Sequence, residues 1–293
     1  MCSLAPFSPT IAQPTAHASP DWAAVEQALG RKGMAQPGNV IKFGFPRSDL
    51  QVVASGLTLK AALALGSWVA FGRAGTSSMV MGDLVLLEDE VGPVMRKLQE
   101  GGVEQTALHN HVLSELPRVM YMHIAARGNA KRIAESILAA LALTKTPLDA
   151  PAATEAGMTS IDLDTAVIAR TLGVSGKVNG GVYQVSVPRA ERVMQRGMEV
   201  PPSMGVATAI NFQPMGGGKA AITGDFVMTA EEVNPVIRAL TSHGIAVTAL
   251  HSHMLEERPR LFFMHFWAID DAAMLADGLR AAIDRMNVMK AAR

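Results

Sequence analysis

The sequence predicts an α+β protein made of two tandem homologous modules, each a mainly antiparallel sheet packed with helices, related by approximate two-fold symmetry. Three observations predict it. One segment occurs twice, turn and capping signals recur around both copies, and apolar residues follow a period of two in some stretches and a helical period in others.

The duplication is clearest around the histidines. Thr106 to His123 and Thr248 to His265 share 11 of 18 residues, and both read H-x-H-x3-E-x-P-R-x4-H at a separation of 142 positions. Asp21-Trp22-Ala23 to Gly30 aligns with Asp164-Thr165-Ala166 to Gly173 at an offset of 143. One residue is then absorbed, and Gly38/Gly180, Pro46/Pro188, Arg47/Arg189, Gly82-Asp83/Gly224-Asp225, Pro93/Pro235 and Gly102/Gly244 align at 142. The chain therefore divides into a Pro- and Ala-rich tail (1–20), a first module (21–143), a linker holding Pro147 and Pro151 (144–161) and a second module (162–293). A repeat of this length is too long for a solenoid unit and implies two domains.

Within a module, Val40 to Phe45 and Val182 to Val187 alternate as half-buried strands do. Ala220 to Met228 is a β-branched and aromatic run, entered from a Gly216-Gly217-Gly218-Lys219 turn. Thr229-Ala230-Glu231-Glu232 is a capping box, and the helix it opens carries Val233, Val236, Ile237 and Leu240 on one face before stopping at Gly244. Ile245 to His251 and Leu261 to Ala268 read as strands, and Asp270 to Met286 as a closing amphipathic helix. Each module is thus strand–helix–strand–strand–helix, preceded by further strands, with its helices on one face of the sheet.

Composition excludes several functions. Lys+Arg and Asp+Glu both number 26, so no net field favours nucleic acid or an anionic membrane. Leu57 to Phe71, the longest weakly polar stretch, is interrupted by Lys60, Gly66 and Ser67 and is too short to span a bilayer. The single cysteine, Cys2, rules out an internal disulfide or a thiolate metal cluster. Two readings of Cys2 stand. It is the lipid-bearing residue of a periplasmic or cell-envelope lipoprotein with a Pro-rich tether, or an incidental residue of a cytoplasmic leader.

Strand alternation puts His109 and His111 on one face. A hairpin centred near Leu116 brings His123 opposite His109, so three imidazoles converge with Glu115 at the hairpin end. His251, His253, His265 and Glu257 repeat the set. Three neutral nitrogens and one carboxylate suit a divalent transition metal, zinc first, with iron, manganese or copper as alternatives. Glu115 and Glu257 are ligands or general bases, and Tyr121, whose counterpart is Phe263, is a candidate catalytic phenol. Arg118 and Arg260 either clamp an anionic group of a small-molecule substrate or form salt bridges with Glu115 and Glu257. Asp83 and Asp225 either orient metal-binding histidines or serve a Gly-Asp turn. The bland alternative for the histidines themselves is a hydrogen-bonded polar core. Divergence at Asn110/Ser252, Ser114/Glu256, Leu116/Arg258 and Tyr121/Phe263 suggests one active and one structural site. The eighteen methionines fall mainly in apolar patterns and read as core filling, not as copper ligands.

The doubled T-A-L-H-x-H-x-L-x-E-x-P-R-x4-H segment resembles the LppY/LpqO family, and the resemblance covers residues from about 21 to 285. Some of its members are described as mycobacterial lipoproteins, some with a peptidoglycan-binding role. The resemblance implies an envelope location and assigns no catalytic residue. Two functions are therefore expected: a metal-dependent hydrolase or lyase acting on a small polar substrate, or a non-catalytic envelope protein binding metal, a small ligand or cell-wall glycan. An aromatic content of 5% weighs against the glycan surface.

Overall fold

The computed structural model describes residues 22–74, 77–149 and 160–289. The tail with Cys2 and the Pro151 part of the linker lie outside the described residues. The first module contains strands β1 (Met34–Gln36), β2 (Val40–Pro46), β3 (Gly66–Ala74), β4 (Ser77–Leu87), β5 (Glu104–His109) and β6 (Val119–Gly128). Its helices are α1 (Ala23–Leu29), α2 (Glu88–Glu100) and α3 (Ala130–Leu141). The second module repeats them as β7 (Lys177–Asn179), β8 (Val182–Pro188), β9 (Ala207–Gly216), β10 (Lys219–Met228), β11 (Ala246–His251) and β12 (Phe262–Asp271). Helices α4 (Thr165–Leu172), α5 (Ala230–Ser242) and α6 (Ala272–Ile283) complete it.

The antiparallel sheets have the same order, β1-β2-β3-β4-β6-β5 and β7-β8-β9-β10-β12-β11. Two α+β modules of one topology are therefore present, as the duplication predicts. β5 and β11, which carry the first histidine of each motif, are edge strands.

Alternation assigns each sheet face a separate task. In the first module Phe43, Phe45, Phe71, Leu84, Leu86 and Met122 pack against Val94, Leu98, Ile137 and Leu141 of the helices. Phe212, Ile222, Phe226 and Phe266 do the same with Val236, Leu240, Leu275 and Leu279 in the second. Each such side chain, fully buried, contributes about 1.5–3 kcal/mol. Buried Arg47 fixes α2 to the sheet, donating to the Val85 carbonyl at 2.9 Å and to Glu90 at 2.6 Å. Glu90 also accepts from the Leu87 amide at the helix start. Arg189 repeats the device with the Val227 carbonyl at 2.8 Å and Glu232 at 2.6 Å.

The opposite sheet faces are not solvated. Every residue from Ser78 to Leu86 is buried, whichever face it points to. Residues 47–65, between β2 and β3, reach over the second sheet: Gln213 donates to the Thr58 carbonyl, Asn211 to Leu63 and Gln184 to Ala62. Residues 189–206 return the exchange. Val193, Val200, Met204 and Val206 form one apolar cluster with Val40, Ala70, Met79 and Met81 of the first module. Helices thus cover one face of each sheet, as expected, and the other module covers the second face. Among the described residues no helix is long and apolar enough to cross a membrane.

Candidate metal centre

The six histidines of the two motifs meet between the modules. β5 pairs with β6, but a bulge between Gln105 and Ala107 sets His109 opposite Tyr121 and Ala107 opposite His123. The sequence expectation that His123 faces His109 is corrected by one pair. The shift is two residues, so His109, Tyr121 and His123 still share a face, as strand alternation requires. β11 and β12 show the same bulge, with His251 opposite Phe263 and Ala249 opposite His265. The expectation of two separate three-histidine sites is also corrected, because both sheets turn these faces toward each other.

The ring geometry follows the module symmetry. His109 and His251 have centroids 3.6 Å apart across the boundary. His111 lies 3.8 Å from His265, and its symmetry counterpart His253 lies 3.6 Å from His123. Tyr121 stacks on His111 at 3.3 Å, and Phe263 on His253 at 3.5 Å. The aromatic difference between the copies thus preserves a ring in each place. Thr248 donates its hydroxyl to the His111 carbonyl, and Asn110 donates to the Thr248 carbonyl, tying the edge strands together. Ser252, at the position of Asn110, instead accepts from Arg260.

Asp83 and Asp225 belong to the same centre. Asp83 is opposite His123 in the β4–β6 pairing, and Asp225 opposite His265 in β10–β12. Both Gly-Asp pairs lie within long strands, so the turn reading is set aside and the aspartates stand beside the histidines. The glycines permit close strand approach: a Cβ on Gly82 would meet the Trp68 carbonyl oxygen at 2.7 Å, and one on Gly224 the Ala209 oxygen at 2.0 Å. His265 Nδ1 is 2.7 Å from the Gly224 carbonyl, which fixes its proton there and turns Nε2 inward.

What makes the cluster chemically distinctive is its unmet hydrogen bonding. Nε2 of His109, His111, His123, His251, His253 and His265 is buried without a hydrogen-bond partner, as are Asp83 Oδ1 and Asp225 Oδ1. Native proteins rarely bury such atoms unsatisfied, because each one forfeits its hydration. No side chain or backbone group among the described residues closes these atoms into a hydrogen-bonded polar core, the bland alternative. His109, His251, His253 and His265 each offer one ligand atom, all within 4.8 Å of one another, and could hold a metal ion.

Electrostatics favours neutral donors. Burial, then His265, pushes His109 down to about 3. Burial also carries His111 and His123 well below the usual histidine range, and lowers His251 and, despite Asp225, His265. Asp83 is pushed up to about 8 by burial and by Asp225, against the pull of Lys42. Burial opposes ionisation of Asp225 as well, yet His253 and His265 together hold it below the ordinary carboxylate range. Buried imidazoles with free lone pairs beside two buried carboxylates are a donor set of the kind that could hold a cation.

The structure also places the other predicted residues. Glu115 and Glu257 are buried at the hairpin ends, where their carboxylates accept from the Val119 and Leu261 amides four residues on. They close the hairpins and are not in the group of donors that could hold the ion. Pro117 and Pro259 follow cis peptide bonds in these hairpins. Arg260 is exposed and donates to Glu257 at 3.2 Å, the salt-bridge alternative. Arg118 is exposed beside Glu88, Asp89 and Pro117, lining a surface cleft. Tyr121 stays within the centre, its phenol raised well above the usual range by burial, then by Asp83 and Glu115.

Sequence reasoning missed Lys42, which lies over the Trp68 ring at 3.9 Å. Burial lowers it to about 8 while Asp83 opposes the fall. Its counterpart is Gln184, so a lone lysine in the alternating Val40–Phe45 strand was the available signal.

No curated protein matches the chain at a significant level. Among solved structures, the trimeric bacterial microcompartment shell protein PduB aligns at 11% identity over 88% of this chain and 95% of that one, with a TM-score of 0.22. EtuB from Clostridium kluyveri aligns at 11% identity over 86% of this chain and 90% of that one, with a TM-score of 0.20. Overlays this distant carry no argument about fold or function. Both modules match one family model, over residues 23–143 and 166–285, and the chain belongs to the family described as a domain of unknown function, DUF1259.

Proposed function

We propose that this protein binds a divalent transition metal, zinc foremost, in one centre shared by its two modules. The observation that carries the reading is the set of six buried Nε2 atoms contributed equally by both motifs, none in a well-formed hydrogen bond, with His253 Nε2 3.2 Å from Asp225 Oδ2. Iron, manganese and copper fit the same nitrogen-rich set, and burial lowers the proton affinity of His109, His111, His123, His251 and His265, which leaves their lone pairs free at physiological pH.

The chemistry such a centre supports is metal-dependent hydrolysis or a lyase-type reaction on a small polar substrate, since a bound metal ion acidifies water and polarises oxygen. In this reading Asp83 and the Tyr121 hydroxyl, beside the histidines, and Lys42, whose charge acts on Asp83, replace Glu115 and Glu257 as proton-handling groups. A non-catalytic reading is favoured by burial: His109, His123, His253 and His265 are each 8% exposed or less. There the metal would hold the modules together. An envelope location rests on Cys2 and the Pro-rich tail, together with the sequence resemblance.

Elemental analysis of chelator-stripped and reloaded protein, beside a His109→Ala/His251→Ala variant, tests the metal. Stoichiometric metal in the wild type and its loss in the folded variant support the reading, whereas metal-free wild type after reloading sinks it. Turnover screens on ester, phosphoester and sugar substrates, with and without metal, separate the catalytic from the structural role.

A further inference from the structure

We infer that Lys42 and Lys177, one from each module, form a second site beside the histidine cluster, which takes a small anion bearing a carboxylate or phosphate group. Lys42 carries the argument, because it is a cation without a counter-charge. It stands on β2 and shares a face with Val40, which packs against the arm of the other module. Its Nζ lies over the Trp68 ring, 3.9 Å from the centroid. Among the described residues, Nζ has no hydrogen bond and no carboxylate oxygen within 4.0 Å. Burial lowers its proton affinity to about 8, the distant Asp83 opposes the fall, and Lys177 adds like-charge repulsion. Lys177, exposed on β7, is likewise unpaired among the described residues. A ring face replaces only part of the hydration that a buried ammonium loses, and a second lysine adds to the cost. An anion between the two answers both.

The second module shows the same position closed. Gln184 stands there in place of Lys42. Its amide donates to the Ala62 carbonyl at 2.8 Å and its oxygen accepts from Asn179 at 3.1 Å. Ala62 belongs to the arm at 47–65, so the arm over that sheet supplies the partner. The arm at 189–206 supplies none to Lys42. It meets the first sheet through apolar and backbone contacts: Met204 clusters with Val40 and Ala70, and a Cβ on Gly205 would lie 2.8 Å from the Trp68 ring. One module thus satisfies the position within the chain, and the other leaves a free cation.

Space and direction agree with a ligand. Gly44 is the next residue on the face of Lys42, and a Cβ there would meet no atom within 4 Å. Strand pairing sets Gly44, Trp68, Asp83 and His123 in one row. Directly opposed residues share a face, so the row runs from the open end at Gly44 to the histidines. Trp68 and His123 are two strand spacings apart, about 10 Å. Trp68 offers a wall for the body of the ligand while the ammonium groups hold its charge through anionic oxygens, which carboxylates and phosphates have in common.

Inorganic phosphate and oxalate, titrated calorimetrically into the full-length protein before and after chelator treatment, test the site. At least one anion is expected to bind saturably to both forms; phosphate alone assigns a phosphoryl group, and oxalate alone a carboxylate. Lys42→Gln, which supplies the side chain that Gln184 has in the second module, is expected to weaken this binding at least tenfold. Lys177→Ala, at an exposed position, is expected to weaken it about threefold. Both variants, checked for folding by circular dichroism, should keep the wild-type metal content. No saturable binding of either anion, or equal binding by the wild type and both variants, overturns the site. Binding confined to the metal-loaded form also overturns it, because the anion then sits on the ion. A wild type that holds no metal yet binds the anion through Lys42 keeps this site and sinks the metal reading.

Discussion

His109 and His251 lie face to face across the module boundary, with ring centroids 3.6 Å apart. They hold the same position in the two copies of the repeat, so the centre belongs to neither module alone. Substituting either one should then do equal damage. His109→Ala and His251→Ala are each expected to lower metal affinity by 10-fold or more and to a similar extent, as measured by competition with a chromophoric chelator. A wide disparity between them would restore the picture of one working and one silent site.

Glu115 and Glu257 close their hairpins through the Val119 and Leu261 amides. Glu257→Ala should cost about 1–3 kcal/mol in urea unfolding by leaving a buried amide unpaired. Its metal content should equal the wild type's. Loss of metal from the folded variant would return the carboxylate to the ligand set.

Tyr121 and Phe263 fill equivalent stacking positions on His111 and His253. Tyr121→Phe should preserve both fold and metal content, because the second module already uses a phenyl ring there. Any fall in turnover would then report on the hydroxyl alone. Tyr121→Ala removes the ring and should destabilise by about 3–5 kcal/mol, by analogy with other large aromatic truncations.

Gly224 has no room for a side chain, with the Ala209 oxygen 2.0 Å from the site of a Cβ. Gly224→Ala is expected to cost about 1–3 kcal/mol through overpacking and to displace Asp225, so that melting temperature and metal affinity fall together. Gly82→Ala, with 2.7 Å to the Trp68 oxygen, should show the same pattern in milder form.

The pair of buried Arg189 and partly buried Glu232 sets an acid limit on stability. Burial opposes the Glu232 charge, but hydrogen bonds from Arg189 and from the Thr229 and Asn287 amides lower its proton affinity below the ordinary value of 4.5. Its contribution is complete above that value and is lost as pH falls through the lower folded value. Glu232→Gln should therefore be less stable at pH 7 and show a flatter decline below pH 4.5 in denaturant titrations. Arg189→Ala, which leaves the partly buried Glu232 carboxylate with only its backbone amide donors, should cost about 1–3 kcal/mol.

Much of this was readable from residues alone. Identical spacing in two segments revealed the modules, and period-two alternation put His109, His111 and His123 on one face without knowledge of the bulge. The meeting of the two sets was not readable, because it depends on which surface the second face of each sheet finds. Ser78 to Leu86 held a hint, since an unbroken buried strand has both faces covered. Glu115 misled for a local reason: a carboxylate near histidines in sequence had a nearer partner in the amide four residues later. Asp83 and Asp225 were visible as repeated Gly-Asp pairs, yet only strand pairing put them beside His123 and His265.

The arms at 47–65 and 189–206 each cover the sheet of the opposite module, and this bears on what one module can do alone. A single module released from its neighbour would leave an apolar arm and an apolar sheet face in water. The arrangement that relieves both is a closed homodimer, in which two copies exchange arms about a two-fold axis. Held in one chain, the two halves need not match at every position, and Lys42 in one module stands where Gln184 stands in the other.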